Sequence, residues 1–410
     1  MTGLLQHRGF VKFWVADAVS MVGSAVTGLA LQVVAVVTLK ASGTEVGILN
    51  AARWVPYLLF GLVAGVIVDR YRRKPLLVGA DFARAVVLAV IPVAAAFDVL
   101  TLPLLIAVVL VFGTLSLAYD AAHQSFPPSL VPADLLMPAN SRLEQSAAVV
   151  QTGGPVLAGA LIKLLTAPGA ILVDAASYLV SGLLLATVRP RTEEVARGTD
   201  QPRHLGREIR EGLRWVYRSS TLGPLAVTSH VWFVFQGLLT TVYVLFVLNT
   251  LALGAFWLGV IYAFGGVGSV IGATASGWAG RRFGVGPAII ACRWVAPVAY
   301  LTAPLAGDTT FGIVLLCAGQ FVFGISLGVD SPIELSYRQS ITPSSLLGRM
   351  NATMRSLNRA AIVVGAPVGG LLADHFSTRT ALWVGVAGMV VQAVLLTRSD
   401  FRHARLTPAP

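Results

Sequence analysis

The sequence predicts an all-α integral membrane protein: twelve transmembrane helices in two pseudo-symmetric six-helix bundles. Three observations lead there. Composition is the first: of 410 residues, 56% are hydrophobic and only 12% charged, with a mean hydropathy of +0.77. Soluble chains carry about 25% charged residues, so half of the usual polar coat is missing. Second, apolar stretches of the roughly 20 residues needed to cross a bilayer recur along the chain. Third, the chain repeats itself. Pro132, Leu135, Leu136, Asn140, Gly154 and Gly159 return at an offset of 211 as Pro343, Leu346, Leu347, Asn351, Gly365 and Gly370. Pro155 and Pro367 slip by one, and Gly65-xxx-Asp69-Arg70 pairs with Gly277-xxx-Arg281-Arg282 at an offset of 212. One membrane unit built twice in the same direction gives two halves facing a central site, the layout of a secondary transporter with parallel halves.

The spans read as 10–38, 46–68, 75–97, 102–122, 139–165, 169–188, 222–248, 255–280, 285–306, 310–333, 346–372 and 379–397. Proline, glycine and charged clusters such as Tyr71-Arg72-Arg73-Lys74-Pro75 and Arg281-Arg282-Phe283-Gly284 separate them. The division is then 1–188 for the N-terminal bundle, 189–221 for a linker, 222–397 for the C-terminal bundle and 398–410 for a tail. The start, with His7, Arg8 and Lys12, leads into an apolar run too long for a signal-peptide core, so the first span is expected to stay as an anchor.

Lysine and arginine fix the expected orientation. Of the 30, 21 fall in segments on the side of the N-terminus, while Lys40, Lys163 and Arg379 fall on the other side. The remaining six (Arg53, Arg84, Arg142, Arg293, Arg355 and Arg359) lie within spans. The positive-inside bias therefore places both termini in the cytoplasm of a cell membrane. It also accounts for the net charge of +11, and no nucleic-acid partner is expected. In the linker, Leu205, Ile209, Leu213 and Val216 recur at helical spacing, with Arg203, Arg207, Arg210, Arg214 and Arg218 on the other faces. This is either a basic amphipathic helix on the anionic inner leaflet or a solvated linker helix.

Glycines mark close helix approach. Gly61-xxx-Gly65, Gly268-xxx-Gly272 and Gly365-xxx-Gly369 each put two glycines on one helix face, where bare backbones meet in lipid. The run from Gly265 to Gly272 has the wrong final spacing for a dinucleotide fingerprint, and no Walker lysine motif occurs. Cys292 and Cys317 lie in apolar runs, and the six histidines show no metal-ligand spacing. No cofactor or metal is expected, and neither a catalytic constellation nor an ATP-hydrolysing module stands out.

At these motifs the chain resembles the major facilitator superfamily. That family's loop between spans two and three carries Gly-xxx-Asp-Arg-x-Gly-Arg-Lys. Here Gly65, Asp69, Arg70, Arg73 and Lys74 match, and Arg72 replaces the second glycine. The resemblance implies that Asp69 latches onto the start of span eleven, near Ser345, and stabilises the outward-facing state; a helix N-terminus receives a carboxylate favourably. Gly154-Pro155-Val156-Leu157-Ala158-Gly159 is similar to part of the antiporter motif of span five, with Val150 where a glycine is expected. Gly365, Pro367 and Gly369 are its counterpart in span eleven. Over about residues 8–397 the chain is similar to a branch of exporters that includes the enterobactin exporter and macrolide efflux pumps. The residues carrying this include Trp54-Val55-Pro56-Tyr57, Asp81-Phe82-Ala83-Arg84 and Asp174-Ala175-Ala176-Ser177-Tyr178. Proton antiport follows from the branch alone, because span four lacks the arginine that many proton-driven drug exporters carry there.

The candidate site residues are polar groups in apolar spans. Asp17, Ser20, Ser24 and Thr27 share one face of span one. An ionisable residue in a span costs about 2.5–3.5 kcal/mol to insert, so Asp17 is expected to face a wet cavity or a partner, Lys12 and Arg8 being the nearest cations in sequence. In span seven, Trp232, Gln236 and Tyr243 share a face with His230 nearby, a lining suited to an amphipathic organic substrate. Arg53 either binds an anionic substrate group, snorkels or pairs with Glu45. Asp81 and Arg84, one turn apart, read as a structural pair. Asp120, Asp330 and Glu334, at the predicted cytoplasmic ends of spans four and ten, read as a gate with Arg338, or as proton carriers.

Together these features describe a monomeric exporter of a small hydrophobic or amphipathic molecule, working by alternating access with protons as the coupling ion. The rival readings are an importer or facilitator of a small nutrient, and a non-transport membrane receptor. The charge asymmetry makes a direct prediction. In a background free of Cys292 and Cys317, single cysteines at Asp200 and Arg405 should react with an impermeant maleimide only from the cytoplasmic side. Cysteines at Ser42 and Asp308 should react only from outside. Labelling of position 200 on intact cells contradicts the orientation.

Overall fold

A computed structural model describes residues 3–68, 71–190 and 205–405; Asp69, Arg70 and much of the linker lie outside the described residues. Among the described residues fourteen α-helices run in chain order. They are α1 (Arg8–Val33), α2 (Gly43–Val68), α3 (Arg73–Ala96), α4 (Leu102–Gln124), α5 (Leu136–Leu165), α6 (Ala167–Ala186) and α7 (Leu205–Arg218). The second half holds α8 (Leu222–Leu245), α9 (Gly254–Phe283), α10 (Val285–Tyr300), the short α11 (Thr302–Leu305), α12 (Thr310–Ile341), α13 (Ser344–His375) and α14 (Thr378–Arg398). Eleven helical segments among the described residues are long and apolar enough to cross a membrane. With α2, 26 residues long and predominantly apolar, the twelve-span reading is complete.

The helix ends fall within a few residues of the predicted spans, with one informative exception. Span ten, expected to stop at 333, continues as helix to Ile341. The sequence places Asp330 and Glu334 at the end of that span because charges usually mark a boundary. In the structure both lie inside the helix, because an arginine on α10 pairs with them.

Each half repeats the other's packing. In the first, α1 packs on α5 and α6, and α3 on α4 and α6. In the second, α8 packs on α13 and α14, and α10 on α12 and α14. The repeated sequence segment does the same job twice. Gly154 of α5 approaches α1 so closely that a Cβ there would meet Ala25, and Gly365 of α13 abuts the backbone of α8 at Val234. Gly369 meets Leu238 in the same interface. The repeat extends to backbone detail. A π-helical turn prolongs α1 over Val34–Thr38 and another prolongs α8 over Phe246–Thr250. Two residues beyond each, Lys40 and Ala252 adopt left-handed φ angles of 50° and 51°.

The chain divides into two compact units, one of residues 1–40 and 55–202, the other of 41–54 and 203–410. The first fourteen residues of this second unit, including the N-terminal turns of α2, are therefore grouped apart from the rest of that helix, although the sequence division counts all of span two with the first bundle. The physical reason is glycine contact with α13, where Gly43 and Gly47 meet Gly370 and Ala366. Helix α7 docks on α13 and α8. Val216 is fully buried, Arg349 pairs with Glu211 and Glu208, and the Trp215 indole donates to Thr342 Oγ1 at 3.2 Å.

In the second unit α9 and α12 meet along bare backbone. Gly268 and Gly272 lie against the carbonyls of Phe321 and Ile325, and Gly324 and Gly328 against those of Gly265 and Ser269. Small residues on both faces let the helices approach closely in lipid. Gly324→Leu would force this contact apart at a cost of about 1–3 kcal/mol. The expected result is a lower melting temperature of the purified protein in detergent, with Gly79→Leu, where a side chain meets nothing nearby, as the neutral control.

Candidate functional site

Each unit holds charged side chains that are largely buried, and in each unit they meet counter-charges on the same or a neighbouring helix. In the first unit Asp17 projects from the polar face of α1 and is 7% exposed. Its partner is His123, in the last turn of α4, whose Nε2 lies 2.8 Å from Asp17 Oδ1. Lys12 instead points its ammonium at the carbonyl of Thr187. The His123 ring packs against Phe13 at 5.0 Å and stacks on Tyr119 at 5.7 Å.

One helix over, Arg84 forms an ion pair with Asp81, and Ser181 of α6 donates to the second carboxylate oxygen at 2.6 Å. The Arg84 guanidinium lies between two aromatic faces, 3.9 Å from the Tyr119 ring and 4.2 Å from the Tyr178 ring. Tyr178 hydrogen-bonds Ser24, which in turn donates to the Ser20 carbonyl. The polar face of α1 is thus tied through Tyr178 to α6, and Tyr119 touches both the histidine and the arginine. Asp120 faces elsewhere and accepts from the Tyr57 hydroxyl at 2.7 Å.

In the second unit Arg293 of α10 is the hub. It is 5% exposed and reaches Asp330 at 2.9 Å and Glu334 at 2.7 Å, both on α12. Arg338, one turn further on, approaches Glu334 at 3.4 Å. The Trp232 ring lies 5.4 Å from the Arg293 guanidinium. Of the predicted gate residues, Asp330, Glu334 and Arg338 stand together with Arg293 joining them, whereas Asp120 accepts from Tyr57 in the other unit. Losing one partner of such a buried set leaves an uncompensated charge at a cost of about 3–5 kcal/mol.

The remaining candidates are mostly held by packing. Gln236 donates to the Tyr300 hydroxyl at 3.0 Å, while Tyr243 is buried, stacked on Tyr262 at 6.0 Å and edge-on to Tyr300 at 6.5 Å. His230 bridges three helices, bonded through Nε2 to Tyr217 of α7 and through Nδ1 to Asn358 of α13, each at 2.7 Å. Arg53 lies 5.5 Å from the Trp54 ring, and Arg359 covers the same ring at 3.8 Å. Glu45, the other partner considered for Arg53, accepts from the backbone N–H of Ser42. Asp69 and Arg70 lie outside the described residues. Two residues of consequence escape the sequence reading, His123 and Asp374. For His123 a signal exists: it precedes Glu334 by 211, the offset of the repeat.

A family model described as a transmembrane secretion effector matches residues 3–407. The chain belongs to that family, within the major facilitator superfamily. Among similar proteins of this superfamily, macrolide efflux protein A of Streptococcus pyogenes is 21% identical over 391 residues, 94% of each chain. The multidrug efflux pump Tap of Mycolicibacterium fortuitum is 27% identical over 382 residues, 87% of this chain and 88% of that one. In three dimensions the chain is similar to the nucleoside transporter NupG, with a TM-score of 0.78 at 13% identity, covering 95% of this chain and 99% of that one. This likeness concerns the fold. The protein is a multi-span transporter of the major facilitator superfamily.

For such a transporter the buried hub is open to test. Arg293→Gln should destabilise the detergent-solubilised protein by about 3–5 kcal/mol, by stranding Asp330 and Glu334. The double variant Arg293→Gln/Asp330→Asn should recover part of the loss, since removing both partners leaves fewer unpaired charges. Thermal melting compares the two, and additive losses contradict the pairing.

Proposed function

We propose that this transporter exports a small hydrophobic or amphipathic molecule across the plasma membrane by alternating access, driven by protons entering in exchange. The observation carrying the reading is the pair of Asp17, buried, and His123, partly exposed. A carboxylate and an imidazole stand 2.8 Å apart, and each is a group able to carry a proton. The same carboxylate can be met by a proton or by a cationic or polar substrate group. Proton and substrate then compete for one unit, which is what exchange requires.

Export, rather than uptake, is supported by relatives named as macrolide and multidrug efflux proteins that align over most of the chain. An amphipathic cargo is supported by the mixed aromatic and amide composition of α8 and α10, where Trp232, Gln236 and Tyr300 lie packed. Asp69, directly after α2, is the proposed latch of the outward-facing state.

The test uses protein in proteoliposomes with a panel of amphipathic dyes and a macrolide. Wild type should concentrate at least one of them against its gradient when a pH gradient is imposed. Asp17→Asn should abolish that uphill movement while leaving downhill equilibration, and His123→Gln should shift its pH dependence. An Asp17→Asn protein that still concentrates the dye in response to the gradient removes the pair from the mechanism.

A further inference from the structure

Helix α2 begins with a cap of its own. In Ser42-Gly43-Thr44-Glu45 the Glu45 carboxylate accepts from the Ser42 N–H at 2.8 Å and the Ser42 hydroxyl accepts from the Glu45 N–H at 3.3 Å, a reciprocal capping box. Two N–H groups of the first turn remain, and a carboxylate 330 residues away takes both. Asp374, in the last turn of α13, accepts from the Gly43 N–H at 2.6 Å through Oδ1, and through Oδ2 from the Thr44 N–H at 2.8 Å and the Thr44 hydroxyl at 2.7 Å. A carboxylate at a helix N-terminus also meets the positive end of the helix dipole.

Below this cap the two helices touch through bare backbone. A Cβ on Gly43 would overlap the Gly370 carbonyl, a Cβ on Gly47 that of Ala366, and a Cβ on Gly370 the backbone of Gly43 and Thr44. One turn further, Asn50 donates to Thr241 of α8 at 3.0 Å. From Val55 onward α2 is grouped with the other unit. The first turns of one half's helix are therefore held on α13 and α8 by three hydrogen bonds, a glycine seam and one amide. The Thr44 bonds are water-exposed and Asp374 stands at the surface. Val46 and Leu49 bury apolar surface beside the seam, while the polar bonds at its outer end can exchange with water, so that end suits repeated breaking and remaking.

We infer that Asp374 is a gating residue of the transport cycle: its carboxylate clasps the start of α2 to α13 while the outer face is shut, and it must let go for that face to open. The inference rests on the orientation read from charge asymmetry, which puts residue 42 outside, and it does not require proton coupling. Asp374 touches no substrate; it positions α2.

The experiment needs no known substrate. In a background carrying Cys292→Ser and Cys317→Ser, Val46→Cys places a reporter on α2 one turn below the clasp, at a position with no exposure and outside its hydrogen bonds. Its reaction with an impermeant maleimide is followed on intact cells and on inverted vesicles. Asp374→Ala should raise labelling on intact cells about tenfold or more, the population shift produced by losing a charged hydrogen bond. Gly47→Leu, a wedge in the glycine seam, should do the same by a different route. Asp374→Glu, which keeps the carboxylate, should fall between. Each variant is first confirmed as a single symmetric peak in size-exclusion chromatography. Unchanged labelling in both folded variants, Asp374→Ala and Gly47→Leu, overturns the clasp. A rise confined to inverted vesicles overturns its placement on the outer face.

Discussion

A charge inside a membrane span has no water to fall back on, and the internal organisation of this transporter follows from that constraint. Insertion of one ionised side chain costs about 2.5–3.5 kcal/mol, and leaving it unpaired in a packed interior costs more. The chain meets this within each unit. Asp17 lies against His123, Asp81 against Arg84, and Asp330 and Glu334 against Arg293. Each set joins two or more helices or turns, so the pairs fix helix rotation as well as neutralising charge. Aromatic faces complete the shielding, with Tyr119 and Tyr178 enclosing Arg84 and Trp232 approaching Arg293.

The second constraint is that lipid gives helices no hydrophobic reason to associate. Close approach of backbones supplies one. The glycines of the repeated segment sit at equivalent places, α5 on α1 and α13 on α8, and the α9–α12 seam is glycine against carbonyl on both faces. Helix α13 serves two opposed needs at once: Gly365 and Gly369 seat it on α8, and Gly370 admits the start of α2. The asymmetry is informative. The contact with α8 continues through buried side chains such as Leu238, whereas the contact with α2 ends in exposed polar bonds to Asp374.

Much of this is legible in the sequence, for identifiable reasons. Span positions follow from hydropathy, and the duplicated halves from an offset that holds over Pro132, Asn140 and Gly154. The pairing of Asp81 with Arg84 follows from helical spacing, because both lie on one helix. Pairs between helices are not legible in that way. Nothing near Asp17 in sequence points to His123, 106 positions away, and Lys12 and Arg8 are the nearer expectation. Span ten reads as too short because Asp330 and Glu334 look like a boundary, while the arginine that shelters them is on another helix. The π-helical turns at Val34–Thr38 and Phe246–Thr250 leave no composition signal at all. Asp374 is invisible because its ligands are mainly backbone N–H groups, which every sequence has.

If proton and substrate compete at the Asp17–His123 pair, substrate binding must expel a proton, and that release is the most direct measurement. Detergent-solubilised protein in weakly buffered solution is mixed with a substrate identified in the proteoliposome panel, and pH is followed with an indicator dye. Wild type should release about one proton per substrate bound, and Asp17→Asn none at equal occupancy. Tight binding by wild type with no proton released would contradict the competition.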